Sequence, residues 1–504
     1  MKMTLNELVA HHPDDALALG APDREWLSYR DLRQMTQTVT ADLRGAGISA
    51  RDRVAIVLPN GSDMASAFFT IAQAATTAPL NPNYRQEEFE FYLDDLGAKA
   101  VVINHGNDGP VFAAAQKLGL MVLTLEAGRK AGQFRLTGAT GSALDGAPDC
   151  DDVALILHTS GTTSRPKIVP LLQSNVAASA QHIANSLALT PHDRCLNVMP
   201  LFHIHGLLAA VSATFSAGGS IFCTHGFNAM NFFAMMKDAR PTWYTAVPTM
   251  HQAILSRASR NPDVLADVPL RFLRSSSASL PAQVMTELTR VFNAPVIEAY
   301  GMTEAAHQMC CNPLDRQKPG SVGVAAGPMV AIAHEVDNHL IDGIGEVVIS
   351  GPNVTPGYES NPGANAKSFF DLDGQRWFRT GDQGAIDADG FLELTGRLKE
   401  IINRGGEKIS PLEVDNVLMD HPDIAQVVTF ALPHPKLGEE VAAAVVLRAD
   451  SGASEQSIRN FAAERMADFK VPRRIIILDE IPKGATGKMQ RIGMAEKLGL
   501  MEKA

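Results

Sequence analysis

Ten residues from His158 to Lys167, reading His-Thr-Ser-Gly-Thr-Thr-Ser-Arg-Pro-Lys, follow directly on the apolar run 153–157. Hydroxyls and backbone N–H groups at that density can cradle phosphate oxygens, and Lys167 adds positive charge beside them. A solvated Ser/Thr turn rarely carries two cations between buried segments, so a polyphosphate site is the stronger reading. It is not a Walker loop, because the second glycine and the Gly-Lys-Ser/Thr ending are missing. A P-loop kinase or ATPase is thereby disfavoured.

The elements around this loop read as strand, loop, the short apolar segment Ile168 to Leu172, and an amphipathic helix after it. Before it, up to about residue 150, runs such as 53–59 and 99–105 alternate with helical stretches, the pattern of a parallel sheet covered by helices. Beyond it, several strand-like runs each end in small or polar residues, where sites of α/β folds tend to lie. From about residue 345 the texture turns β-rich, and Asp389-Gly390 between apolar runs predicts a hairpin. After Lys399 comes a compact segment with its own strand and helix signals, so a domain boundary is expected there.

Composition narrows the class. The chain has 504 residues, enough for about three domains or subdomains. Its 44 Lys and Arg against 55 Asp and Glu leave a formal charge of −11, the wrong sign for a nucleic-acid or anionic-membrane partner. The N-terminal stretch has no long apolar run, no segment reaches membrane-spanning length, and the ending MEKA lacks a peroxisomal signal, so a cytoplasmic protein is expected. The five cysteines Cys150, Cys195, Cys223, Cys310 and Cys311 form no even framework and read as free thiols.

Taken in order, the phosphate loop, Tyr300-Gly-Met-Thr-Glu304, Thr380-Gly-Asp382, Gly396-Arg-Leu-Lys-Glu400, Asn403-Arg-Gly-Gly-Glu-Lys408 and Pro482-Lys-Gly-Ala-Thr-Gly-Lys488 resemble the motif set of the acyl-adenylate-forming superfamily. Six ordered motifs over essentially the whole chain are far more specific than any one of them. The resemblance implies an α/β fold: a large N-terminal domain (1–398) of stacked mixed and parallel sheets with helices, including a β-rich subdomain at about 330–398, and a small mobile α+β C-terminal domain (399–504). It implies an AMP-forming acid–CoA ligase using ATP, Mg²⁺ and coenzyme A. A carboxylate is a poor electrophile at neutral pH, so it first attacks the α-phosphate of ATP, and preorganised cations must stabilise the charge gathering there.

The same resemblance distributes roles. Lys488 bridges carboxylate and α-phosphate, Thr303 donates to that phosphate, and Glu304 holds Mg²⁺. Nucleotide contacts come from Thr159, Ser160, Gly161, Thr162, Thr163 and Lys167, from Ser277, Ala278 and Ser279, and from Glu298, Ala299, Tyr300, Gly301 and Met302. Tyr300 stacks on adenine, Asp382 accepts the ribose hydroxyls, and Arg397 donates nearby. Lys399 is the hinge about which the small domain turns, bringing Arg404, Gly405, Gly406 and Glu407 towards the CoA tunnel.

The acid pocket departs from that of fatty or aromatic relatives, which line it with apolar and small side chains. Here Pro200-Leu-Phe-His-Ile-His-Gly206 supplies His203 and His205, Arg274 and Ser277 add a cation and a hydroxyl, and His307 adds a third imidazole. A small acid with a second anionic group satisfies them, and the pattern is most similar to oxalate–CoA ligases. Malonyl-CoA synthetases, the nearest alternative, generally carry Arg before Tyr-Gly-Met-Thr-Glu, where this chain has Ala299; a short-chain or aromatic acid is the further alternative. A non-catalytic sensor would be expected to have lost Lys488 or Glu304, and a carboxylate kinase would release phosphate rather than pyrophosphate. Ile168 replaces the glycine usual in the family's loop, which predicts altered loop mobility or ATP affinity because a branched side chain is barred from glycine's positive-φ conformations.

Overall fold

The computed structural model describes residues 2–138, 141, 146–159, 166–449, 451–482 and 489–500. Two large sheets form the body. The first has seven strands, with Arg53–Val57, Thr76–Pro79, Ala100–Asn104, Met121–Ala127 and Val153–Thr159 paired in parallel and antiparallel strands, Phe134–Thr137 and Lys167–Leu172, at its edges. The second has nine strands, of which Leu17–Gly20, Ser220–Cys223, Arg194–Asn197, Trp243–Ala246, Phe272–Ser276 and Val296–Met302 run parallel. Their strands are largely apolar, as sheets covered on both faces require.

Helices Tyr29–Gly45, Ser62–Ile71 and Gln173–Ser186 share one apolar core with both sheets, in which Phe68, Phe69, Ile183, Phe215, Trp243 and Phe272 are buried. The first is held at its start by a capping box between Ser28 and Asp31. Segment His205–Ser212 in the same layer is a π-helix.

The β-rich region is a five-stranded antiparallel sheet of Met329–Ala333, Gly345–Ser350, Phe369–Leu372, Gln375–Ile386 and Leu392–Arg397. Its Asp387–Gly390 turn is the hairpin expected from Asp389-Gly390, with Gly390 at φ +82°. From Ile402 onward a further five-stranded sheet with helices Pro411–Met419 and Glu455–Ala463 builds a core of its own, around Ile409, Val414, Ile424, Val441 and Ile475. All five cysteines are free thiols, and burial pushes those of Cys310 and Cys311 upward. Among the described residues no helix is long and apolar enough to cross a membrane.

Ile168 sits inside a strand, paired with His158 and packed in the core beside Ile156. Extended backbone suits a β-branched residue, so this position does not draw on glycine's conformational freedom.

Candidate functional site

Adjacent strands of the nine-stranded sheet set Arg274 against Thr245 on one side and Ile297 on the other, with His307–Cys311 returning antiparallel beyond Val296–Met302. Arg274 is fully buried. One guanidinium nitrogen approaches His205 Nε2 at 3.4 Å and Thr245 Oγ1 at 3.5 Å; the other donates to His307 Nε2 and Gln308 Oε1, both at 3.2 Å. His205 Nδ1 meets Ser277 Oγ at 3.0 Å, and its Nε2 meets Thr245 Oγ1 at 2.6 Å. The His205 and His307 rings stack with centroids 5.0 Å apart. Arginine can only donate, so where it bonds a ring the Nε2 atom accepts, as at His307, and that neutral ring carries its proton on Nδ1.

Four residues singled out in the sequence, His205, Arg274, Ser277 and His307, are therefore one cluster. Among the described residues, none of the groups within bonding reach of the guanidinium is a carboxylate, and its Nε has no partner. Burial lowers its pKa to about 10, a sign of how costly the charge is in this position. The backbone around it is strained: Ser277 lies at φ +76°, and Ala306 and His307 at +46° and +95°. Gly301 is required by the same crowding, because a Cβ there would stand 1.8 Å from the His307 carbonyl oxygen. His203, two residues before His205, is half-buried with its ring against Phe202.

A second group lies at the far end of strand Val296–Met302. Tyr300 donates its hydroxyl to Asp382 Oδ2 at 2.5 Å, and Arg397 Nε donates to Asp382 Oδ1 at 3.1 Å across a strand pair. The Asp382 charge raises the Arg397 pKa, and burial opposes it only in part. Burial together with that carboxylate holds the Tyr300 phenol far above its ordinary value. Glu298 is buried on the same strand; Oε1 accepts from the Leu280 amide at 2.9 Å, Oε2 has no partner among the described residues, and burial raises its pKa to about 8.

Glu304 follows in a short turn, buried, with Tyr358 donating to Oε1 at 2.8 Å. Burial holds this carboxyl above its ordinary range, while Tyr358, Lys167 and Arg397 pull the other way. The Lys167 ammonium stands 4.0 Å over the Tyr358 ring. Burial lowers the Lys167 pKa, Glu304 opposes that, and the Lys399 charge adds to it. Thr303 is half-buried in the same turn. Ala278 and Ser279 are exposed on the loop after Ser277.

In the C-terminal region Arg404-Gly405-Gly406-Glu407 is a tight hairpin, its glycines at φ +61° and +98°, and Arg404 pairs with Glu440 at 2.5 Å. Arg491 donates to Asp415 at 2.6 Å and to the Thr429 carbonyl at 3.1 Å, and pairs with Glu400 at 3.4 Å. Ser160, Gly161, Thr162, Thr163 and Lys488 lie outside the described residues. The sequence reading did not single out Thr245, Gln308, Tyr358 or Arg491. Thr245 stands inside the strand-like run 243–249, whereas Tyr358 reaches Glu304 from 54 residues away, with no local signal.

Comparison with known proteins finds relatives over nearly the whole chain. Residues 5–359 match the AMP-binding enzyme family and residues 413–488 its C-terminal domain. An oxalate–CoA ligase of Arabidopsis thaliana is 44% identical over 97% of this chain and 96% of its own length. An oxalate–CoA ligase of Saccharomyces cerevisiae is 40% identical over 96% and 94%. The crystal structure of ATP-bound MatB from Rhodopseudomonas palustris superimposes with a TM-score of 0.88 at 28% identity, covering 99% of both chains. The chain belongs to the AMP-binding enzyme family. Within it, the chain is an AMP-forming acid–CoA ligase, with ATP and CoA as co-substrates.

Proposed function

We propose that the acid is oxalate, and that the protein forms oxalyl-CoA, AMP and pyrophosphate from oxalate, ATP and CoA in the cytoplasm. The observation that carries this reading is Arg274, a buried cation whose contacts are imidazoles, a hydroxyl and an amide. A buried charge without a counter-charge is costly, and an anionic ligand offsets that cost. A dicarboxylate short enough to place one carboxylate on Arg274, His205, Ser277 and His307 while presenting the other to the nucleotide fits the requirement. The names of the two relatives above point to the same acid.

In this reading one oxalate oxygen attacks the α-phosphorus of ATP and the bond to pyrophosphate breaks. The CoA thiolate then attacks the acyl carbon and AMP leaves. Lys488 neutralises the charge gathering in the first step, and Thr303 donates to the α-phosphate. The loop Thr159, Ser160, Gly161, Thr162, Thr163 and Lys167 holds the outer phosphates. Tyr300 packs on adenine beside Ser277, Ala278, Ser279 and the Glu298–Met302 strand, and Asp382, already gripped by Tyr300 and Arg397, turns its remaining lone pairs to the ribose. Glu304 suits Mg²⁺: it is a buried carboxylate beside the Lys167 end of the phosphate loop, and the ion when bound neutralises phosphate charge there.

The residues up to 398 form the catalytic body, and those from 399 a lid that turns about Lys399. Turning exchanges Lys488 for the Arg404-Gly405-Gly406-Glu407 hairpin, which receives CoA. ATP/pyrophosphate exchange measured with oxalate, malonate, formate, a medium-chain fatty acid and a cinnamic acid tests the proposal. Oxalate should drive the fastest exchange; faster exchange with malonate or with either larger acid overturns it.

A further inference from the structure

The β-rich sheet carries a second cluster of ligating side chains, on the loop between Met329–Ala333 and Gly345–Ser350. His334, Asp337 and His339 each offer a donor atom, and all three atoms lie within 4.8 Å of one another. The Asp337 carboxylate stands 3.5 Å from His334 Nδ1 and 3.9 Å from His339 Nδ1. A tetrahedral ion with bonds of about 2.0–2.1 Å sets its donors about 3.4 Å apart, so these two separations need to close by only a few tenths of an ångström. The imidazoles stack at 5.1 Å, nearly parallel, and both bring Nδ1 to the carboxylate.

Two further features make this more than a chance meeting of side chains. The loop is clamped by Arg379, which donates to the carbonyls of His334 and Asp337 and to Asn338 Oδ1, and pairs with Glu346. The His334 amide closes it on the His339 carbonyl at 3.0 Å. In addition, no hydrogen bond of the described residues ends on the Asp337 carboxylate, and the bonds His334 Nδ1 accepts from the Val336 and Asp337 amides are long, at 3.4 and 3.3 Å. Such lone pairs are cheap to redirect.

We infer that His334, Asp337 and His339 form a binding site for a late first-row transition-metal ion, with Zn²⁺ the best match to two imidazoles and one carboxylate. Exposure on one side leaves the fourth position to water. Mg²⁺ prefers an oxygen shell and is not held here. The site is separate from the acid pocket and does not depend on which acid the enzyme activates. It bears on the C-terminal region all the same. Glu335, between the ligands, accepts from Gln383 at 2.8 Å and from Lys408 of the Arg404–Lys408 hairpin at 3.0 Å. An ion bound beside it stiffens the loop on which that hairpin rests.

The test is calorimetric titration of Zn²⁺ alone into the tag-free full-length chain, repeated with Mg²⁺ and with the variants His339→Ala, His334→Ala and Asp337→Asn. Expected is one saturable Zn²⁺ per chain in the micromolar range, undisturbed by excess Mg²⁺. Each histidine variant should weaken it by about 10-fold or more. Asp337 and His339 are exposed and His334 is half-buried, and unchanged thermal midpoints in the absence of metal verify that the variants fold. No saturable binding, binding that both histidine variants retain in full, or displacement by equimolar Mg²⁺ overturns the inference.

Discussion

Two charged groups, one on the nine-stranded sheet and one where its Tyr300 meets the β-rich sheet, are built on opposite plans. Around Asp382 every charge meets a partner: Tyr300 and Arg397 occupy both carboxylate oxygens, and the group stays polar but balanced. Around Arg274 the charge is surrounded by neutral groups in a fully buried position. The first arrangement fixes its side chains against one another. The second keeps a charge imbalance that an anion would relieve, and in the function proposed above that cost of burial becomes selectivity for acids with a second charge.

The largest effect is expected from Lys488→Ala, which tests the side that receives the nucleotide. Losing one preorganised cation at the reacting phosphate should lower oxalate-dependent ATP/pyrophosphate exchange by about 10²–10³-fold. Thioester formation from supplied oxalyl-adenylate should largely survive, and equal loss of both half-reactions would sink the two-position lid.

Arg274→Met breaks the contrast directly. Removing one member of a buried charge contact costs about 2–5 kcal/mol, so kcat/KM for oxalate should fall at least about 30-fold, with the KM for ATP nearly unchanged. The thermal midpoint without substrate should hold or rise, because the unbalanced charge is gone. A lower midpoint together with an unchanged oxalate KM would show that the cation serves the fold instead.

Arg491→Met addresses the C-terminal region. Its clasp on Asp415, Thr429 and Glu400 ties the chain just past Lys488 to the turn after Lys399. Adenylation should drop by about 10-fold, a loss of roughly 1.4 kcal/mol, more than thioester formation does. A parallel fall in both, measured separately, would reduce the clasp to general support.

The smallest effect concerns Glu298. Its carboxyl is raised by burial to about 8, above its unfolded value, so the folded state keeps a proton that the unfolded chain has lost between about pH 4.3 and that value. Its contribution to stability is complete below that window and fades as pH rises through it. Glu298→Gln should therefore flatten the decline of the thermal midpoint between mildly acidic and mildly alkaline solution. An identical slope in the variant would place the titration elsewhere.

Much of this site was readable from residue types in order. His205, Arg274, Ser277 and His307 stand out in segments that the motif resemblance assigns to the acid pocket, and the strand-like runs ending in small or polar residues foretell the sheet that gathers them. What escaped were partners supplied across long separations. Tyr358 on Glu304 and Arg491 on Asp415 depend on how loops and domains come to rest, which no local period encodes. Ile168 shows the same limit: a family loop pattern says nothing of the strand pairing with His158 that sets the backbone at that position.

The π-helix that opens at His205 has a consequence for how such a pocket arises and is lost. A π-turn closes its hydrogen bonds over one residue more than an α-turn does. Excising a single residue downstream, anywhere within 207–212, would let the coil tighten and rotate His205 by about 100° off its present bearing. If His205 holds the acid as proposed, substrate choice hangs partly on a length, one unit of chain, as well as on chemistry.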